Sequence, residues 1–278
     1  MQFNKHQQEL IREYKKLLVY GYKKISSIGL NFKTTRARKR VLYFMMGAMQ
    51  SYSESLLKLM GSIPIYERSG ESLLRSQIEL LFNLRFIYSD RSESKARLFL
   101  SDLLLESVSF AKKHHKFWDK YPNWNLTFGV IKKPCDWDKF ILTSLYSLYK
   151  DSQKYKDKFV KKMPSLYDRT LIIDKYLKKI GKFSENNSAE KYYIYYHQYL
   201  SQATHLNISG LLRSLRNKKD IFKDPFFDID SKPEDAERIL SVSYQVYLTM
   251  LRTFLQIFNS YDSMEFKDFL NYSKKMVK

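Results

Sequence analysis

Apolar residues recur at spacings of three and four along most of this chain, and no stretch reads convincingly as a strand. That period places an apolar stripe on each of a series of helices. Leu10, Ile11, Tyr14, Leu17, Leu18, Tyr22 and Ile25 mark a first helix from Gln7 to about Ile28, with Arg12, Lys15, Lys16, Lys23 and Lys24 opposite and Gly29 as its stop. A second runs from Val41 to about Met60, and Gly61, Pro64 and Gly70 punctuate the passage to a third. That third stretch, Glu71 to Asp90, carries Leu73, Leu74, Ile78, Leu81, Leu84 and Ile87 on one face, while Leu80, Phe82 and Phe86 add apolar groups on others. It reads as the most buried helix of the chain, the one around which the rest packs.

A fourth helix follows from about Ser94 to His115. Phe117 to Trp137 has no period and holds all three tryptophans, so it reads as an aromatic-rich loop excursion. Helix resumes over Lys139 to Met163, interrupted near Lys150 to Ser152, and again from Leu166 to Ile180, ended by Gly181. Asn187-x-x-Glu190 has the form of a capping box before a long helix to about Arg216, with a mixed-charge loop from Asn217 to Ile229 beyond it. Ser231-x-x-Glu234, with Pro233 in the first turn, opens a helix that reaches about Tyr261, and a short one from Met264 to Tyr272 closes the series. The expectation is an all-α protein: a single bundle of about eight to ten helices over residues 1–278, with the helices of 231–275 packed on the rest.

Composition agrees with this and adds charge. The 278 residues are 44% hydrophobic and 16% aromatic, enough for a sizeable core, and only 8 Gly and 6 Pro argue against a turn-rich β chain. A formal net charge of +20 attracts polyanions such as RNA, DNA or an acidic membrane surface, although a Lys- and Tyr-rich composition also follows from biased genomic base content. The densest cationic run is Lys33-Thr-Thr-Arg-Ala-Arg-Lys-Arg40, so Arg36, Arg38, Lys39 and Arg40 are candidate backbone-binding residues, with the Tyr/Lys segment Tyr149 to Lys162 beside them. Cys135 is the single cysteine, which excludes an intramolecular disulfide and a Cys-rich zinc site. The polar N-terminus has no secretory core, and no apolar run approaches the roughly 20 residues of a membrane span, so a cytoplasmic location is expected.

Chemistry enters through two polar stripes. Arg75, Glu79 and Asn83 lie four apart on the most apolar helix, and His197, Ser201 and His205 lie four apart on an aromatic-rich one. Burying a guanidinium and a carboxylate costs several kcal/mol per ion unless each is paired, so the two stripes are expected to face each other. In such a seam Glu79 orients an imidazole, Arg75 binds a phosphate bidentately, His205 is a candidate general acid or base, and Ser201 is its hydrogen-bond partner. Asn83 and His197 are candidate binding residues. The same groups also make sense as a satisfied core network without chemistry. Asp136, Asp138, Asp224, Asp228 and Asp230 lack a paired histidine or a metal motif, and His114-His115 point apart on a helix, so no metal site and no cofactor is expected. Gly-rich phosphate loops, a Gly-x-Ser-x-Gly elbow and His-Glu-x-x-His are absent.

Arg75-Ser76-x-x-Glu79 with Asn83 and Tyr88, followed far downstream by Tyr199-Leu-Ser201-x-x-x-His205, resembles a family of bacterial helical domains of the abortive-infection type, over roughly Ala48 to Leu212. The resemblance implies a helical bundle and a place in defence against phage. A weaker similarity is to HEPN ribonucleases, whose mark is an Arg followed four to six residues later by His on one helix. No histidine here has an Arg at that distance upstream, so a phosphodiester site would be assembled between helices. Two functions follow. One is a defence effector that binds RNA or DNA and, if an enzyme, is a metal-independent nuclease. The other is a non-enzymatic interaction or sensor subunit, working as a homodimer or with a partner protein.

Overall fold

The computed structural model describes residues 2–29, 35–62, 65, 67–89, 93–100, 102–103, 113, 116–117, 120, 163–198, 200 and 233–276. Among these the only regular structure is helical, and the protein is an all-α helical bundle. Helix α1 spans Lys5–Ser27, α2 Ala37–Met60, α3 Glu67–Tyr88, α4 Leu166–Lys179, α5 Ala189–Tyr192, α6 Pro233–Ile257 and α7 Ser263–Met276. Residues 94–100 are also helical. The chain gathers into two compact units, one of residues 1–30, 39–91 and 165–278, the other of 31–38 and 92–164. The expected aromatic excursion over Phe117 to Trp137 falls almost wholly outside the described residues, as do the Lys139–Lys162 stretch and the loop from Asn217 to Ile229.

Caps set the helix ends. Asn4 Oδ1 accepts from Gln7 N, and Gln7 Oε1 accepts from Asn4 N, both at 2.9 Å, so a reciprocal capping box starts α1 two residues before Gln7. Helix α2 starts at Ala37, not Val41, because Glu93 Oε2 accepts from Arg38 N at 2.9 Å and satisfies a first-turn amide. Gly70 lies inside α3 against Met60 of α2, where a Cβ would come within 2.7 Å of the sulfur; it is a packing glycine, not a break. Gly181, at φ +67°, ends α4 as expected.

In the larger unit α3 packs on α6 and α4, and α6 also packs on α1 and α7. Leu10, Tyr14, Leu17, Leu74, Ile78, Leu84, Tyr244, Tyr247, Leu251 and Phe254 are almost wholly buried between them. Each such side chain contributes about 1.5–3 kcal/mol through burial. Through this core runs a directed hydrogen-bond chain. Ser243 Oγ donates to Gln77 Oε1 (2.7 Å), so Tyr14 Oη must donate to Ser243 Oγ (2.5 Å). On the other side Gln77 Nε2 donates to Ser53 Oγ (2.7 Å), which donates to the Met49 carbonyl (2.7 Å). Four helices are thereby tied at one level by a chain of consistent donors and acceptors.

Candidate functional site

The polar stripe of α3 begins one turn earlier than Arg75. Glu71, Arg75, Glu79 and Asn83 follow one another at four-residue spacing, and described elements meet all four positions, Arg75 Nε lying 3.3 Å from His197 Nε2. Glu71, with its side chain only 3% exposed, accepts from Arg238 Nη2 of α6 at 3.2 Å. Glu79 Oε1 lies 2.7 Å from His197 Nε2 and accepts from Arg75 Nε at 3.1 Å. Asn83 Oδ1 accepts from Arg169 Nη1 of α4.

The expected meeting of the arginine–glutamate stripe with the histidine-bearing segment is therefore present at Arg75, Glu79 and His197. Asn83 takes a different partner: it turns to α4, because Arg169 approaches it there. Ser201 and His205 lie outside the described residues. The backbone that presents His197 also differs from the expected long helix. Ser188, not Asn187, caps α5, its Oγ accepting from Lys191 N at 3.3 Å, while Asn187 Oδ1 accepts from Ser184 N in the preceding 3₁₀ turn. Beyond Tyr192 the helix widens into a π segment over Tyr193–Gln198, a form that concentrates at functional sites. Asp174 of α4 secures its approach, accepting from Ser188 Oγ (2.6 Å), Ala189 N (2.7 Å) and Glu190 N (3.2 Å).

Burial alone would raise the Glu79 carboxyl, but the hydrogen bond from His197 and the charges of His197 and Arg75 outweigh it and hold the group below the ordinary value of 4.5. An ionised carboxylate only accepts, so the 2.7 Å contact requires a proton on His197 Nε2. Nδ1 is buried and has no hydrogen-bond partner among the described residues, and the ring stacks on Tyr193 at 4.9 Å with 14° between planes. The side chain of His197 is 8% exposed, whereas those of Arg75 and Glu79 are 23% and 37% exposed. The carboxylate and guanidinium thus reach the surface and the imidazole backs them from inside.

Of the cationic run, Arg36 is exposed, while Arg38, Lys39 and Arg40 are half-buried in the first turn of α2. Lys39 Nζ sits 5.3 Å from the centre of the Phe258 ring. Glu71, Arg238, Arg169 and Asp174 are the polar residues that sequence reasoning missed. The four-residue spacing carried back one turn points to Glu71. Arg238 and Arg169 have no local signal, because their partners lie 167 and 86 residues away. No group of three or more His, Cys, Asp or Glu residues fit to hold a metal occurs among the described residues. None of the helices described is long and apolar enough to cross a membrane.

Residues 39–222, more than half of the chain, match the profile of a family described as "Family of unknown function (DUF5677)". The protein belongs to that family. The DUF5677 segment holds Arg75, Glu79, Asn83, Arg169, Asp174 and His197, so the central ionic cluster is wholly inside it, while α1 and α6 lie outside. No curated protein and no solved structure matches the chain.

Proposed function

We propose that this DUF5677 protein is a bacterial defence effector of the abortive-infection kind, one that engages nucleic acid and holds a phosphodiester at Arg75. The observation that carries this reading is the single carboxylate oxygen of Glu79, shared by Arg75 Nε and His197 Nε2. It sets the plane of the guanidinium, whose fork matches two phosphate oxygens. His197 is a positioning residue here, since its ring is sealed from solvent and acts through Glu79. Proton transfer falls to His205, two four-residue steps along the same sequence stripe, with Ser201 between them. The chemistry needs no metal ligand from the chain, and cleavage, where it occurs, is that of a metal-independent nuclease. The formal charge of +20, with Arg36 exposed, supplies sequence-independent attraction to the backbone.

A second reading is favoured by the burial of His197. In it the protein is a non-enzymatic interaction or sensor subunit, and the seam fixes helix register. Thermal melts run beside RNA and DNA binding and cleavage assays separate the two. On the effector reading Arg75→Ala and His205→Ala lose nucleic-acid processing and keep a cooperative melt near that of the wild type. On the subunit reading the wild type has nothing to lose in either assay, and the variants differ only in stability.

A further inference from the structure

The π segment that carries His197 also displays a ladder of tyrosines. Tyr195 is 70% exposed, Tyr192 38% and the intervening Ile194 50%, an unusual concentration of apolar surface for one helical turn. The Tyr192 and Tyr196 rings lie 5.3 Å apart at 30°, and Tyr195 meets Tyr196 edge-on at 4.9 Å. Tyr196 is next to His197, and Tyr193 stacks on the imidazole, so the ladder is continuous with the Arg75–Glu79–His197 cluster. Cations border it. Arg85 of α3 is partly buried near Tyr192 and Asp174, yet it makes no ion pair or hydrogen bond among the described residues. Lys175, Lys178 and Lys179 of α4, Lys182 and Lys191 are exposed, Lys178 lying 4.7 Å from the centre of the Phe183 ring and Lys191 being paired with Glu185.

Open aromatic faces beside cations are what a strand with unstacked bases recognises: the rings take bases and the cations take phosphates. In a duplex the base faces are stacked on one another and present nothing to such a ladder. We infer that the Tyr192–Tyr195–Tyr196 face is a stacking platform for single-stranded nucleic acid, feeding its backbone toward Arg75. This rests on the nucleic-acid reading above and narrows it to unpaired strands. Tyr192 and Tyr195 are exposed and outside the buried core, so their rings can be removed without disturbing it.

The test is equilibrium binding of a labelled oligonucleotide of mixed sequence, as a single strand and as its duplex, to the full chain and to Tyr195→Ala, Tyr195→Phe and Tyr192→Ala. The single strand should bind the wild type more tightly than the duplex does. Each alanine variant should weaken single-strand binding about tenfold, the loss that one base–aromatic stack gives, and leave the duplex unchanged. Tyr195→Phe should retain the wild-type affinity, because the ring stays and only the hydroxyl goes. Single-strand binding that ignores both alanine substitutions, or a duplex bound as tightly as the single strand, overturns the platform and leaves nucleic-acid binding itself standing. A wild-type chain that binds neither form overturns both.

Discussion

At Gly21 the backbones and side chains of three helices come close enough to forbid a methyl group. A Cβ there would lie 1.9 Å from Tyr247 Oη and 3.3 Å from Gln50 Oε1. Tyr247 cannot easily withdraw, since its hydroxyl donates to Gln50 Oε1 while Gln50 Nε2 donates to the Leu18 carbonyl at 3.1 Å. Gly21→Ala should therefore cost about 1–3 kcal/mol in urea denaturation, the range for overpacking a core. Tyr247→Phe removes the clashing oxygen, so the double variant should lose less than the sum of the singles. Glu79 offers a different single-residue test. Its carboxyl sits below the ordinary 4.5 in the folded chain, so its pairing stabilises the fold above that pH and is lost as pH falls through the folded value. Stability measured against pH should show the wild type falling toward Glu79→Gln on the acid side of about 4.5, so that the gap between them narrows. A gap that stays constant down to pH 3 would show that the His197 and Arg75 contacts do not hold in solution.

Helix α5 is a single turn before its π segment, too short to hold itself by propagation, and it depends on what caps it. Asp174 and Ser188 together satisfy Ser188 Oγ and the amides of Ala189, Glu190 and Lys191. Asp174→Ala should cost about 1–3 kcal/mol, because buried donors lose their acceptor. Hydrogen exchange should speed up over residues 189–198 well before it does in α6. Asp174→Asn keeps one carbonyl oxygen and should fall between. The same element shows what the chain made legible and what it hid. The apolar faces of α1, α3 and α6 were readable because each helix buries one side continuously, and the meeting of the Arg75–Glu79 stripe with His197 was readable from the cost of burying unpaired ions. The start of α2 was not readable, since its cap is a glutamate 55 residues away. Nor was the π widening over Tyr193–Gln198, which no spacing in the segment announces. Asn83 went to Arg169 for the same reason: a partner 86 residues distant leaves no trace in periodicity.

The family match and the fold do not share boundaries. Residues 39–222 contain the ionic cluster, yet the face that α3 buries is covered by α6, and α6 in turn by α1, both outside that segment. Cutting the chain at those limits would leave Gln77 Oε1 without Ser243 and Gln50 Oε1 without Tyr247, in addition to baring the apolar face that α3 packs on α6. Each unsatisfied buried group costs about 1–3 kcal/mol, and each large apolar side chain returned to water about as much again. Against a typical total stability of about 5–15 kcal/mol, those losses are of the same size as the whole. A fragment of residues 39–222 is therefore expected to keep helical circular dichroism but to bind a hydrophobic dye and to melt without cooperativity, as a collapsed state without fixed packing does. The full chain should melt in a cooperative transition that engages α1, α3 and α6 together. A fragment that melts as sharply as the full chain would mean that α1 and α6 are appendages, and that the seam on α3 is held by α4 and the π segment alone.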